Sequence, residues 1–204
     1  MKVILASKSP RRKEILGMIT KKFDVIVSDE EEIIDEKLDI YEQAKSLAYI
    51  KAKSVFDKIV GNRIVIGSDT MVVDLDGKIY GKPKDRQDAI NMIKVLQGTK
   101  HNVITSLAIL VEKDGEYFEH IDYDLAEVYF EDMTEEEITK WIDTGEAYDK
   151  AGAYAVQGEF TRHIEKINGN FWTVMGLPVH KVYKILKEYI KMWINKGENK
   201  WRYY

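Results

Sequence analysis

The segment Ser7-Lys8-Ser9-Pro10-Arg11-Arg12 places two hydroxyls, a proline and three cations in immediate succession. Ser9 before Pro10 reads as a helix start, with Ser9 as cap and Pro10 at a position that needs no N–H donor. Free N–H groups at a helix N-terminus attract anions. Two arginines in the first turn oppose the helix dipole, a conflict that a bound polyphosphate would resolve by pairing with the guanidinium groups. A solvated basic helix start explains the same residues about as well, so these residues alone imply only an anion site.

Four further groups could carry chemistry. In Gly67-Ser68-Asp69-Thr70 an apolar strand runs into polar residues, and a carboxylate held rigidly there can bind a metal or take a proton from water. Asp is also a common turn residue, so this signal is weak by itself. Gly81-Lys82-Pro83-Lys84 puts Lys82 in extended backbone before a proline, and Lys51 lies on a mostly apolar helix face. Each is a candidate cation, although most surface lysines are simply solvated. The acidic run Asp29 to Glu32 could supply an oxygen ligand for Mg²⁺ or Mn²⁺, or be a solvated face. Finally, the small residues of Asp149 to Gly158 let backbone approach a ligand, and Gln157 offers both donor and acceptor to a base edge. A tightly packed loop is the competing reading.

Several classes are excluded. No Gly-x-x-x-x-Gly-Lys-Ser/Thr loop, Gly-x-Gly-x-x-Gly fingerprint or serine-hydrolase elbow is present. The four histidines (His101, His120, His163 and His180) lack spacing suited to zinc and read as ordinary surface or core residues. With no cysteine, there is neither a disulfide framework nor a thiol nucleophile. A net charge of −4 counts against a general nucleic-acid binder. No stretch has the length of a membrane span, and the N-terminus lacks the apolar region of a signal peptide, so a cytoplasmic protein is expected.

The elements that must position these residues follow from pattern. Lys2–Ala6 reads as a buried strand, Phe23–Val27 as a second and Arg63–Gly67 as a central one. Helices are expected from Pro10, over 41–59, after Asp85 and from Thr134, where Glu137 completes a capping box. Asp76-Gly77 predicts a tight hairpin, Asp114-Gly115 a long hairpin over 101–130, and Asn168-Gly169 a turn between two short strands. Pro178 leads into a last helix. The sum is a mixed α/β fold, without the regular alternation of a doubly wound parallel sheet. At 45% hydrophobic and 32% charged residues the composition is globular.

In this order the segments resemble the Maf family of nucleotide pyrophosphatases. The matching pieces are Leu5 to Arg12, Gly67-Ser68-Asp69-Thr70, Gly81-Lys82-Pro83, Asp149 to Tyr154 through Gln157-Gly158, Ile167-Asn168-Gly169 and Gly176-Leu177-Pro178. The resemblance covers roughly residues 2–190, so a domain over 1–190 and a tail over 191–204 are expected. It implies a mixed twisted sheet with flanking helices and two lobes around a cleft, like inosine triphosphate pyrophosphatases. It implies a divalent cation, Mg²⁺ or Mn²⁺, and hydrolysis of a nucleoside triphosphate to monophosphate and pyrophosphate. On the family pattern Asp69 is the proton acceptor and, with Glu32, a metal ligand. Ser7, Ser9, Arg12, Lys51 and Lys82 would hold phosphate. Arg11, Thr70 and Gln157 match the branch acting on dTTP and UTP. The family's usual Asp-Glu pair is here Glu31-Glu32, a departure that bears on the metal site. A homodimer fits the resemblance. Competing readings are a purine or modified-nucleotide pyrophosphatase, and a non-enzymatic division regulator binding nucleic acid or a division protein.

Overall fold

The computed structural model describes residues 1–28, 35 and 37–195. Its centre is a seven-stranded mixed sheet in the order β2-β1-β3-β5-β6-β7, with β4 also on β3. The strands are β1 (Lys2–Leu5), β2 (Asp24–Val25), β3 (Arg63–Val73), β4 (Ile79–Tyr80), β5 (Lys100–Lys113), β6 (Glu116–Phe130) and β7 (Ile164–Asn168). The helices are α1 (Pro10–Ile19), α2 (Ile40–Phe56), α3 (Arg86–Leu96), α4 (Glu135–Asp143), α5 (Phe171–Val174) and α6 (Val179–Asn195). The expected mixed α/β class, with helices flanking a mixed sheet, is thus observed.

The long hairpin forms as its sequence requires. Asp114 and Gly115, at φ 53° and 86°, take the left-handed conformations of a tight turn, and β5 and β6 pair from Lys113↔Glu116 to Lys100↔Tyr129. Three of the expected helix starts are capped as read. Ser9 Oγ accepts from the Arg12 N–H, Asp85 from Asp88 N–H, and Thr134 with Glu137 closes a capping box.

Two expectations are corrected. The strand at 23–27 shrinks to Asp24–Val25. The turn at Asn168-Gly169 joins β7 not to a strand but to α5, because Asn170 caps that helix by accepting from Trp172 N–H.

Side chains alternate across the strands and sort the helices onto two faces. Ile64 and Ile66 of β3, with Val3, Leu5, Leu107 and Ile109, pack against α1 and α6. Val65, with Ile4, Ala108 and Leu110, packs against Ala48, Ala52 and Val55 of α2. A separate core of Trp141, Phe160, Tyr154, Phe130 and the apolar face of α3 lies beyond the other end of β3.

Between these cores β3 changes partners along one edge. β1 pairs with it only as far as Leu5↔Ile66, and β4 only from Val72↔Tyr80. Gly67 to Met71 bridge the interval, and a cleft of about 1040 Å³ opens there.

Candidate functional site

β3 places chemistry on both of its faces within that interval. Gly67 and Asp69 point toward α2, whereas Ser68 and Thr70 point toward α1 and α5. Gly67 is where α2 touches the sheet. A Cβ there would lie 2.4 Å from the Ala48 carbonyl oxygen and 2.7 Å from the Ala52 nitrogen, so only glycine admits the helix so closely. That approach brings Lys51 onto Asp69: Nζ donates to Oδ1 at 2.5 Å, and both side chains are nearly buried. Asp69 Oδ2 has no protein partner among the described residues.

The opposite face is built around Arg12. Its Nε donates to the Gly176 carbonyl at 2.8 Å, Nη1 to Ser7 Oγ at 3.3 Å and Nη2 to Thr70 Oγ1 at 3.0 Å. Gly176 takes φ 102°, a region that disfavours side chains, and its carbonyl also accepts from Ser68 Oγ at 3.0 Å. Thr105 supports the arrangement from β5. Its hydroxyl donates its single hydrogen to the Thr173 carbonyl at 2.7 Å, so at 3.0 Å it must accept from Thr70. Thr70 therefore turns its lone pairs to Arg12. The hydroxyl matched to substrate choice on the family pattern is here also a holder of the arginine.

The loop over residues 7–9 is held by its own hydroxyls. Ser7 Oγ accepts from Ser9 N–H at 3.2 Å, and Ser9 Oγ caps α1 through Arg12 N–H at 3.4 Å. Lys8 lies exposed in this loop, and Lys82 lies exposed across from it, beyond β4, with no partner among the described residues.

The far wall is the segment 145–158. Its root is buried: Trp141 Nε1 donates to the Ala153 carbonyl at 2.8 Å, and Tyr154 Oη meets His101 Nε2 at 2.9 Å. Burial pushes the His101 imidazole down to about 4 and the Tyr154 phenol well above its ordinary value. Gly152 N–H donates to the Gly81 carbonyl at 3.0 Å, tying this wall to the Lys82 segment. Its rim is exposed and carries Asp149 and Gln157. Asp149 accepts from Lys150 at 2.5 Å and from Arg11 at 3.5 Å. Burial alone would raise this carboxyl, but the Lys150 hydrogen bond and the charges of Lys150 and Arg11 outweigh it and hold it low.

One cleft thus gathers Ser7, Ser9, Arg11, Arg12, Lys51, Asp69, Thr70, Lys82 and Gln157. Glu32 lies outside the described residues. Tyr80, Glu146 and Val103 also line the cleft and carried no signal as site residues. Tyr80 donates to Asp74 Oδ2 at 2.7 Å, and burial together with that bond pushes its phenol up to about 12. Among the described residues, no group of three or more His, Asp or Glu side chains forms a metal cage.

The model of the Maf-like protein family matches residues 2–189. A dTTP/UTP pyrophosphatase of Caldanaerobacter subterraneus subsp. tengcongensis is 43% identical over 198 residues, covering 97% of this chain and 94% of that protein. One from Aquifex aeolicus is 46% identical over 191 residues, covering 92% and 95%. Among solved structures, a HAM1 protein from Coxiella burnetii aligns at 12% identity with a TM-score of 0.49, over 92% of this chain and 99% of that one.

Proposed function

The chain belongs to the Maf family, and from that premise we propose that it hydrolyses dTTP and UTP to the monophosphate and pyrophosphate. The observation that carries the reading is Asp69, fixed by Lys51 through one oxygen and open at the other, in the same cleft as Ser7, Ser9, Arg12 and Lys82. Asp69 Oδ2 takes the proton as water attacks the α-phosphorus, and the bridging oxygen leaves with pyrophosphate. Ser7, Ser9, Arg12 and Lys82 hold the phosphate oxygens, so that the charge built up in transfer meets fixed donors. Lys51 keeps the Asp69 carboxylate in one orientation and adds a positive charge. Arg11, Thr70 and Gln157 select the base, with Thr70 acting through its neighbours.

Mg²⁺ or Mn²⁺ fits this donor set. Such ions take one or two carboxylates and complete their shell with water and substrate phosphates. The Asp69 carboxylate is one proposed ligand, and Glu32 is the second. When bound, the ion would neutralise phosphate charge. The same family reading extends to a cytoplasmic homodimer; no helix among the described residues is long and apolar enough to cross a membrane.

The test is turnover of dTTP with Mg²⁺, with dTMP and pyrophosphate quantified separately. Asp69→Asn should cost about 10³-fold in kcat. Undiminished turnover by that variant, or release of inorganic phosphate in place of pyrophosphate, would sink the mechanism.

A further inference from the structure

Asp124 lies outside the cleft, yet it stands at the end of a row of side chains that reaches into it. Thr70 on β3 is the register partner of Thr105 on β5, and Thr105 that of Asp124 on β6. Register partners share a face, so three polar side chains lie side by side across three adjacent strands. Of the three, only Thr70 lines the cleft.

Thr173 of α5 joins the last two members of this row. Its carbonyl accepts from the Thr105 hydroxyl at 2.7 Å, and its own hydroxyl donates to Asp124 Oδ2 at 2.5 Å. Thr173 is fully buried, so that hydroxyl needs a partner. A guanidinium only donates, and a carbonyl or carboxylate only accepts. The row therefore has one direction: Arg12 donates to Thr70, Thr70 to Thr105, and Thr105 to the Thr173 carbonyl. The same segment also meets the arginine directly. The Gly176 carbonyl, two residues past the end of α5, accepts from Arg12 Nε at 2.8 Å and from Ser68 Oγ at 3.0 Å. A helix of four residues does not hold its own place. Whatever ties α5 to the sheet thus also ties down two of the contacts that aim Arg12.

We propose that Asp124 is a positioning residue for Arg12: through Thr173 it seats α5 on the sheet, and α5 seats the arginine. The inference rests on the reading of Arg12 as a phosphate ligand. Without the carboxylate a buried hydroxyl loses its acceptor and α5 shifts. Arg12 then keeps its charge and loses its aim.

Tripolyphosphate carries the charged chain of the substrate without sugar or base, so its dissociation constant, measured calorimetrically, reads the grip alone. It is determined for the full chain, Asp124→Ala, Asp124→Asn, Thr173→Val, Thr173→Ser, Arg12→Lys and the Asp124→Ala/Arg12→Lys double variant. KM and kcat for dTTP with Mg²⁺ are measured beside it, and they decide where tripolyphosphate binds too weakly to read. Asp124→Ala should weaken binding about fivefold, the worth of roughly one hydrogen bond, and raise KM similarly while kcat moves less. Thr173→Val, which keeps the volume and removes the hydroxyl, should do the same. Asp124→Asn keeps an acceptor and Thr173→Ser a donor, so both should recover most of the affinity. On the Arg12→Lys background Asp124→Ala should cost no further affinity, although it still lowers the melting temperature, because the two residues act as a unit. Unchanged affinity in Asp124→Ala and Thr173→Val would overturn the proposal. So would an equal loss on the Arg12→Lys background, or a failure of the asparagine and serine variants to recover. Hydrolysis of dTTP by a protein whose grip ignores Asp124 defeats this inference alone. The expected affinities without hydrolysis defeat the proposed activity and leave the role of Asp124 standing. A parent protein that neither binds tripolyphosphate nor turns over dTTP defeats both.

Discussion

The two walls of the cleft are held in different ways. The wall carrying Asp69 is fixed by close packing and buried hydrogen bonds: Gly67 against α2, Lys51 on Asp69, and Thr105 behind Thr70. The facing wall is buried only at its root, through Trp141 and Tyr154, while its rim hangs on exposed ion pairs at Asp149. Buried polar networks are costly to disturb, and exposed pairs are worth little. On the proposed reading, a cleft built this way keeps its reacting groups in register and leaves the residues that would meet the base open to change.

Gly67→Ala should produce the largest effect. The new methyl would sit 2.4 Å from a backbone oxygen and 2.7 Å from a backbone nitrogen of α2, neither of which can turn aside. Either the helix retreats, taking Lys51 off Asp69, or the strand bends. We expect a loss of about 3 kcal/mol in urea unfolding, together with loss of turnover. A variant as stable and active as the parent would show that α2 is not fixed by this contact, and the contrast between the walls would fail.

The root of the facing wall is tested by acid. His101 is fully buried, and burial holds its imidazole at about 4 against an ordinary 6.5. The folded state therefore resists a proton that the unfolded chain accepts. The sign follows: this contribution is fully present above pH 6.5 and is lost as pH falls from there toward 4, amounting to about 3 kcal/mol in all. His101→Gln removes the titration while keeping a polar group for Tyr154. Its stability should fall less steeply over that window, by about one proton in slope, when midpoints of urea unfolding are compared across pH. Parallel curves for the two proteins would mean that the root is wetter than the buried ring implies.

The parts of the site legible in sequence were those where polarity breaks a pattern. Asp69 interrupts an apolar strand, and Ser9-Pro10 announces a helix start just before two arginines. Tyr80, Thr105 and His101 were silent because each sits in a run of strand formers, where an aromatic or β-branched residue reads as packing. Only the structure shows that Thr105 spends its hydrogen on Thr173, or that burial keeps His101 neutral. The hairpin expected after Asn168-Gly169 failed for a related reason. Gly169 lies so close to β6 that a Cβ would meet the Ala126 Cα at 2.9 Å, so it serves a close approach, and Asn170 then caps a helix. The fold class survived these local errors because alternation in β3 and β5 and the capped helices determine the layers independently.

The smallest of these effects, and the sharpest for the comparison, is expected at Thr105. Thr105→Val keeps the volume of the side chain and deletes its hydroxyl. The Thr173 carbonyl then loses its donor, and Thr70 loses the acceptor that turns its lone pairs toward Arg12. A buried group left unpaired costs about 1–3 kcal/mol, part in stability and part in the hold on phosphate. Because Arg12 would grip substrate before and during transfer alike, KM for dTTP should rise several-fold while kcat moves less. Thr105→Ser restores the hydroxyl without the methyl and should recover KM even where it does not recover the melting temperature. A purely structural role predicts the opposite pattern, with melting temperature and KM falling out of register with the hydroxyl and tracking the methyl. If the serine variant proves as impaired in KM as the valine one, the Thr105–Thr70–Arg12 relay does not position the arginine, and the buried wall owes its order to packing alone.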